Sequence, residues 1–267
     1  MNKKFSVGLV LALLTALEAP DAVAQVPQGS FTVELGSMET SYAFRGEKES
    51  RAENIELAAS KLDGFVLWPN QVISYNDVVG NRTHKNGFQK APVIISGDLV
   101  EGIGGGVCQV AGTLHAAMFL SALEIVESTQ HSRTSTYITP GLDSTVFWGS
   151  KDLKVKNGYK FPIKIVISNY RDAKRGRLKI VIMGMEKSFD TEVENIVHYK
   201  SKVGLTKIVN PTFKPGQRHV VEVGTPAMDI TRVRRIYRHG TKDLIVQEEK
   251  RIWYDASKRV IEVAEGE

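Results

Sequence analysis

The chain of 267 residues has one cysteine, Cys108, and no apolar run of the roughly 20 residues that a membrane-spanning helix needs. A single cysteine excludes an internal disulfide framework and any metal site built from several thiolates. Neither sign of charge dominates, because 35 Lys and Arg face 30 Asp and Glu, giving a formal net charge of +5. The hydrophobic fraction of 42% is ordinary and suffices for a packed core in one large domain or two small ones.

The N-terminus has the pattern of an export signal. A basic segment, Asn2-Lys3-Lys4, precedes an apolar stretch from Phe5 to Leu17. As a helix this stretch is about 20 Å long, against a hydrocarbon core of about 30 Å, which disfavours the alternative of an uncleaved anchor helix. Ala22-Val23-Ala24 has the small-x-small form of a cleavage site, and no lipoprotein cysteine follows. We predict a signal peptide over residues 1–24 and a mature protein in the periplasm or outside the cell, without a stable membrane anchor.

Hydrophobic periodicity predicts an α+β fold in which a cysteine-bearing helix packs on an antiparallel sheet, followed by a smaller all-β region. Ser50 to Glu53 has the form of a capping box and begins a helix that ends near Gly64. A second helix is predicted from about Val107 to Leu123. The predicted strands include a hairpin with alternating isoleucines and a β-rich tail beyond residue 190: Ile163–Ile167, Leu178–Ile182, Val220–Val223, Ile230–Tyr237, Leu244–Gln247, Arg251–Tyr254 and Val260–Val263.

The glycine-rich stretch from Gly102 to Gly106 fits neither common phosphate-binding motif. A P-loop requires Gly-Lys-Ser/Thr, which is absent, and a dinucleotide fingerprint requires a third glycine where Val107 stands. We therefore expect no cofactor, and we predict no metal site.

Cys108 follows this stretch and lies near the first turn of the predicted helix. Unpaired backbone N–H groups and the helix dipole favour the thiolate at such a position. We expect the glycines at 104, 105 and 106 to keep the approach to the sulfur open. Backbone N–H groups near Cys108, with the Gln109 side chain as a further donor, would hold an oxyanion. The alternative is that Cys108 is a small buried apolar residue.

A nucleophilic cysteine needs a histidine base and a group that orients the histidine. We select His131, on a predicted strand that runs to residue 138, and Asp143, which precedes another predicted strand over residues 144–147. Asp143 is alternatively a turn cap, with Asp152 as the second candidate for its role.

The other histidines are less suitable as the base. His115 lies two helical turns from Cys108, about 10 Å away, and is expected to pack or hydrogen-bond on the helix. The remaining histidines are expected at the surface: His84, His198, His219 and His239. The chain order of cysteine, histidine and aspartate is that of transglutaminase-like cysteine enzymes.

Several of these residues resemble the VanW domain over about Ser50 to Asn157. The matching motifs are Leu67-x-Pro69, Ser74-Tyr75-Asn76, Gly87-Phe88, Gly104 to Val110, Thr113-Leu114, His131-Ser132, Tyr137, Gly141-x-Asp143 and Asp152 to Asn157. The sequence departs from the family's pattern at Pro69-Asn70-Gln71, usually Pro-Gly-Glu, at His115, commonly asparagine, and at Asp143-Ser144, usually Asp-Ala. The end of the chain resembles the G5-like, β-rich part of such proteins.

The resemblance implies a peptidoglycan enzyme, because some family members are associated with L,D-transpeptidation through a cysteine nucleophile. Carried over to this chain, the nucleophile is Cys108 and the partners are peptidoglycan stem peptides; no nucleic acid is expected. Residues 25–190 would form the catalytic domain and residues 191–267 the β-rich region. The product would be a 3–3 cross-link formed through a thioester.

Two other functions stay open at this point. Water instead of an amine would resolve the thioester in a cell-wall peptidase or amidase. A non-enzymatic cell-wall binding module is the third possibility, supported by Arg232, Arg234 and Arg238, which share one face of a predicted strand. Such a set of arginines is more commonly a solvated face.

Overall fold

Residues 29–95 and 98–267 are described by the structure, a computed structural model of the chain. The predicted signal peptide, residues 1–24, lies outside the described residues. Within the described ranges, no helix combines the length and the apolar character needed to cross a membrane.

Strands outnumber helices in the described part of the chain, and the fold agrees with the α+β class. The helices are α1 (Glu49–Leu62), α2 (Tyr75–Val79) and α3 (Val107–Leu120), with 3-10 turns at Gly46–Lys48 and His84–Asn86. The strands of the first part are β1 (Val33–Tyr42), β2 (Val66–Leu67), β3 (Val72–Ser74), β4 (Lys90–Ile95), β5 (Asp98–Ile103), β6 (Glu124–Glu127), β7 (Lys154–Lys156), β8 (Ile163–Arg171) and β9 (Gly176–Gly184). Those of the second part are β10 (Phe189–Lys200), β11 (Leu205–Val209), β12 (Arg218–Glu222), β13 (Met228–Arg238), β14 (Leu244–Tyr254) and β15 (Arg259–Val263).

A four-stranded antiparallel sheet, in the order β1-β9-β8-β2, forms the base of the first part. The predicted hairpin is confirmed as β8 and β9, in which Ile165 lies opposite Ile182 and Ile167 opposite Ile180. Alternation places the isoleucines and Leu178 on one face of the sheet, where they join the main core. Helices α1 and α3 pack on this sheet and complete that core.

Helix α3 is apolar around most of its circumference, so it must be covered on more than one side. Val110, Leu114 and Met118 belong to the main core, whereas Phe119 packs with Leu142 in a second cluster. The helix ends at Leu120 and not at the predicted Leu123, because Ala122 adopts a left-handed conformation with φ of 57°. Helix α3 therefore packs against two clusters, with its first turns in the main core and its last turn in contact with both.

Three local predictions are wrong. The capping box at Ser50 does not form: α1 begins at Glu49 as a continuation of the preceding 3-10 turn, and no side chain caps it. The segments 131–138 and 144–147 are loops instead of strands, with only isolated bridges at Thr129–Thr145 and Phe147–Lys151. Asp143 accepts the backbone N–H of His131 at 2.8 Å, which takes the place of a strand hydrogen bond.

The second part contains two three-stranded sheets, in the orders β10-β13-β14 and β11-β15-β12. The β-rich character predicted beyond residue 190 is confirmed, although the two strands predicted within residues 244–254 are the single strand β14. Pairing is antiparallel throughout the named strands except between β11 and β15.

The arginines of β13 correct a further expectation, because two of the three are buried and not solvated. Arg232 and Arg234 are 8% and 2% exposed. Each guanidinium lies 4.2 Å from the centroid of the Phe119 ring on α3. Arg234 Nη2 also donates to the carbonyl of Leu123 at 2.9 Å. These arginines therefore attach the second part to the helix that carries Cys108.

We expect Arg234→Ala to lower the free energy of unfolding by about 2 kcal/mol or more. The substitution leaves the buried Leu123 carbonyl without its donor and removes the contact with Phe119. Its matched control is the neighbouring Arg235→Ala, which breaks a surface pair with Glu194 and should lower the free energy of unfolding far less. Urea unfolding of both variants measures the difference, and equal losses would contradict the anchoring role.

Candidate active site

Cys108 is the second residue of α3, and the loop before it explains why glycines are needed there. Gly104 and Gly106 have φ angles of 85° and 106°, a left-handed region that side chains disfavour. A Cβ on Gly105 would lie 2.5 Å from the carbonyl oxygen of Pro92. The expectation that all three glycines keep space open at the sulfur is therefore wrong: Gly104 and Gly106 line the cleft, but Gly105 is packed against β4.

The backbone at the start of α3 leaves one N–H at the sulfur unbonded. The N–H of Val107 donates to Gly104 O and that of Gln109 to Gly106 O. No acceptor among the described residues takes the N–H of Cys108, as expected for the first turn of a helix. This N–H is available to a negatively charged oxygen that forms beside the thiol.

Gln109 does not serve as the side-chain donor that its position suggested. Its Nε2 donates to Thr40 Oγ1 at 3.0 Å and to Ser41 O at 3.1 Å, which uses both amide hydrogens. Its Oε1 accepts from Arg51 Nη2 at 2.8 Å. Gln109 is buried and ties α3 to β1 and α1, so it supports the site without facing a ligand.

His131 and Asp143 come together in the loop that follows α3. Asp143 Oδ2 lies 2.8 Å from His131 Nδ1, and the two side chains are 1% and 8% exposed, respectively. The thiol of Cys108 donates to the carbonyl of Val146 at 3.5 Å, and Cys108 and His131 line the same cleft. The structure thus brings the cysteine, histidine and aspartate together at one site, with the closest contact between the histidine and the aspartate.

The other candidates lie elsewhere. Asp152 accepts from Ser74 Oγ at 2.6 Å and from the N–H of Asn76 at 2.9 Å, so it orients α2 and not a histidine. His115 is buried, stacks on Phe119, and has its Nδ1 2.8 Å from Leu142 O, as expected for a packed residue. Burial lowers the pKa of His115 to about 4. The four remaining histidines are exposed, as predicted: His84, His198, His219 and His239.

Tyr254, from the end of β14, completes the site and was not found by sequence reasoning. Its hydroxyl donates to Asp143 Oδ1 at 2.5 Å and accepts the N–H of Gly141 at 2.7 Å. Burial and the charge of Asp143 raise the pKa of Tyr254, so the hydroxyl keeps its proton. No local motif marks this tyrosine, which lies 111 positions from its partner in the chain.

Further contacts from the second part hold the same loop. Arg232 Nη1 donates to Gly141 O at 2.5 Å, and Asn195 Nδ2 donates to Pro140 O at 2.7 Å. The N–H of Asp255 donates to Ser132 O at 2.6 Å, and Arg133 forms an ion pair with Glu222. The loop that carries His131 and Asp143 is therefore shaped by β-strands outside residues 25–190.

The electrostatics of the three groups favour an ion pair. Burial raises the pKa of the Cys108 thiol, but the interaction with the positively charged His131 outweighs it, and the net shift is downward. Burial likewise opposes the charged form of His131, yet Asp143 and Cys108 raise its pKa to about 9. Despite its burial, Asp143 has a lowered pKa because of His131 and Tyr254. At neutral pH His131 is therefore an imidazolium and Asp143 a carboxylate, and the positive charge of His131 favours the thiolate of Cys108.

Cys108 and His131 open into a cleft of about 980 Å³. The cleft is lined by the start of α3, by the loop that follows β6, and by residues 221–225 at the end of β12. Phe147 and Trp148, which are 60% and 44% exposed, line the cleft. A smaller cavity of about 440 Å³ shares Trp148 with it. Among the described residues, no three His, Cys, Asp or Glu side chains are grouped as a metal site would require.

Comparison with known proteins gives one family and two relatives. The family model described as VanW like protein matches residues 50–183. The chain is 42% identical over 139 residues to the uncharacterized protein YoaR of Bacillus subtilis (strain 168), covering 52% of this chain and 45% of that protein. It is 26% identical over 115 residues to the vancomycin B-type resistance protein VanW of Enterococcus faecalis (strain ATCC 700802 / V583). That match covers 41% of this chain and 42% of that protein. The chain thus spans less than half the length of these curated relatives.

Two solved structures also show similarity, the crystal structure of HP0197-G5 and the IgA1 protease G5 domain. They cover 29% and 32% of this chain, at 8% and 16% sequence identity. With a TM-score of 0.16 in both cases, neither supports an argument about the fold.

The pKa of the Cys108 thiol is lowered, so we expect the rate of its alkylation by iodoacetamide to have a midpoint below that of a free cysteine, about 8.5. The thiolate persists as pH falls until the lowered pKa is reached. His131→Asn removes the positive charge while burial remains, so the midpoint of the rate should move to higher pH. Mass spectrometry of alkylation against pH measures both midpoints, with the exposed His84→Asn as control. A wild-type midpoint near 8.5, or no shift in His131→Asn, would contradict the ion pair.

Tyr254→Phe should loosen the loop at Asp143, because the buried carboxylate loses a donor and Gly141 loses its acceptor. We expect the free energy of unfolding to fall by about 1–3 kcal/mol and the Gly141 amide to exchange faster with solvent. Tyr199→Phe is the control, since Tyr199 is half exposed and stacks on Trp253. Unchanged exchange at Gly141 in Tyr254→Phe would show that the tyrosine does not hold the loop.

Proposed function

Because this chain belongs to the VanW family, whose model matches residues 50–183, we propose that it is a cysteine-dependent L,D-transpeptidase of peptidoglycan. The family supports a cell-wall-related role, since one matched relative is named as a vancomycin B-type resistance protein. The observation that carries the chemistry is the buried pair of His131 and Asp143, whose Nδ1 and Oδ2 lie 2.8 Å apart, in the cleft that His131 and Cys108 both line. Such an arrangement is what a thiol acyltransferase needs.

In the first half of the reaction, the Cys108 thiolate attacks the carbonyl carbon of the diamino acid at position three of a tetrapeptide stem. The carbonyl oxygen becomes an oxyanion, and the free N–H of Cys108 stabilises it. The bond to the departing D-alanine then breaks, and the His131 imidazolium gives its proton to the leaving amine. The products are free D-alanine and a thioester on Cys108.

In the second half, the side-chain amine of a neighbouring stem attacks the thioester. Neutral His131 takes a proton from the attacking nitrogen, the carbon–sulfur bond breaks, and the thiolate is restored. The new amide is a 3–3 cross-link. Asp143 stays ionised throughout and holds the imidazole in its reactive orientation.

Export forms part of the same proposal, because peptidoglycan lies outside the cytoplasm. The sequence of residues 1–24 supports it, and we propose the periplasm or the cell exterior as the site of action. A chain with one cysteine has no internal disulfide partner there.

The non-enzymatic alternative has lost its main support. A binding surface built on Arg232, Arg234 and Arg238 requires accessible guanidinium groups, but the first two are buried against Phe119. The hydrolytic alternative uses the same thioester with water as the acceptor and is separated from transfer by the experiment below.

The purified protein should convert a disaccharide-tetrapeptide donor and an acceptor stem into a 3–3 dimer with release of D-alanine. Cys108→Ala should form no dimer, and Cys108→Ser should be at least about 10³-fold slower, because an alkoxide is far harder to form than a thiolate. Mass spectrometry of the muropeptides measures dimer and D-alanine with and without acceptor. Release of D-alanine without dimer would replace the transpeptidase with a peptidase, and unchanged product in Cys108→Ala would refute the mechanism.

A further inference from the structure

The cleft in front of Cys108 is rich in positive charge. Its cationic lining residues are Lys48, Arg51, Arg82, Arg133, Lys151 and Arg175. The cleft has one carboxylate in its lining, Glu222, and that carboxylate pairs with Arg133. The other five cations form no ion pair with any described carboxylate. Other surface arginines differ in this respect: Arg171, for example, pairs with both Glu49 and Glu56.

Three of the unpaired cations form a first group beside Gln109. Arg51 Nη2 donates to Gln109 Oε1 at 2.8 Å, and Arg175 Nη1 donates to Ser41 Oγ at 3.3 Å. Lys48 precedes Arg51 by one helical turn and is exposed. The hydrogen-bond partners of this first group are neutral, so its charge faces the cleft without compensation.

Arg82 and Lys151 form a second group around Asn76. Arg82 Nη1 donates to Asn76 Oδ1 at 2.7 Å, and Asn76 Nδ2 donates to the carbonyl of Lys151 at 2.9 Å. Arg82 Nη2 is buried and has no acceptor among the described residues. The guanidinium lies over the Tyr75 ring at 5.4 Å, which fixes it without neutralising it.

Guanidinium groups without a carboxylate partner are costly in a partly buried cleft, because burial removes their solvation and neutral hydrogen-bond acceptors replace only part of it. The cost is visible in Arg51 and Arg82, since burial lowers the pKa of each. A bound carboxylate offsets this cost and fits the planar donor fork of arginine. The Cys108 thiolate attracts both arginines and Asp152 attracts Arg82, but these are two negative charges beside five cations.

We propose that the cleft selects peptides with two free carboxylates near the reacting carbonyl, one taken by the Arg51 group and one by the Arg82 group. The proposal deepens the proposed function and rests on it for the role of Cys108. A peptide fits better than a phosphate polymer, because the cations share the cleft with a nucleophile that acts on carbonyl carbon. The preferred donor is an anionic stem peptide, and amidation of its carboxylates weakens recognition.

Binding to a Cys108→Ala protein tests this selectivity without turnover. Calorimetry should show a tetrapeptide stem with free carboxylates binding at least about tenfold more tightly than its amidated twin, and the difference should shrink with added salt. Equal affinity for the two peptides would overturn the proposal. Tighter binding of a glycerol-phosphate polymer or an oligonucleotide than of the peptide would also overturn it, in favour of a phosphate site.

Variants at the exposed cations distinguish the effect of charge in the cleft from the effect of the protein's overall charge. In the same Cys108→Ala protein, Lys48→Gln with Arg175→Gln should weaken binding of the anionic peptide about fivefold or more. Lys160→Gln with Lys200→Gln removes the same charge from exposed positions outside the cleft and should leave the affinity unchanged. Arg51→Lys should bind more tightly than Arg51→Gln, since both lose the guanidinium fork and only the first keeps the charge. Equal losses in the cleft pair and the outside pair would refute the cleft as the source of selectivity.

The two proposals fail in different ways. If the wild-type protein forms 3–3 dimers equally well from free and amidated donors, the selectivity is refuted and the transpeptidase stands. If selective binding is measured but no thioester or dimer forms, the cleft still binds anionic peptides and the transpeptidase is refuted.

Discussion

The buried carboxylate of Asp143 is the group on which the rest of the site depends. A charge removed from water must be satisfied by donors, and Asp143 has three: the N–H of His131, its Nδ1 and the Tyr254 hydroxyl. Two of these donors belong to the residue that faces Cys108, and the third comes from the far end of the chain. Satisfying one carboxylate therefore fixes the imidazole, stabilises its positive charge and so favours the thiolate.

This requirement makes the β-rich second part a component of the site and not an appendage. Tyr254, Arg232 and Asn195 all contact the short segment from Pro140 to Asp143. The guanidinium groups of Arg232 and Arg234 also pack against the ring of Phe119 on α3, and the first turn of this helix carries Cys108. The two segments that meet at the thiol are thus held against the same sheet, which limits their relative movement. Residues 25–190 alone would lack these contacts, although the family model ends at residue 183.

The sequence predicted features whose cause is local. The β8–β9 hairpin follows from strict alternation, and α3 begins where the glycine loop ends, because both depend on periods of a few residues. Predictions that depended on contacts with another segment of the chain were wrong. Ser50 has the right spacing for a cap, but the preceding 3-10 turn continues directly into the helix. Residues 131–138 have a strand-like composition but no partner strand to pair with. Gln109 is adjacent to Cys108 in sequence, yet its amide is used by β1 and by Arg51.

By itself, the sequence determined which residue types are present and in what order: one cysteine after a glycine loop, then a histidine and an aspartate within a short span. That was enough to predict a chemistry, because few side chains act as nucleophile, as base and as the group that orients the base. Only the tertiary structure decided which groups are charged, buried or committed elsewhere. Tyr254 could not be read from any spacing, since it reaches Asp143 across 111 positions, and the apparently solvated arginines of β13 became buried anchors. Hydrogen bonding and desolvation depend on distance in space, and the fold alone sets those distances.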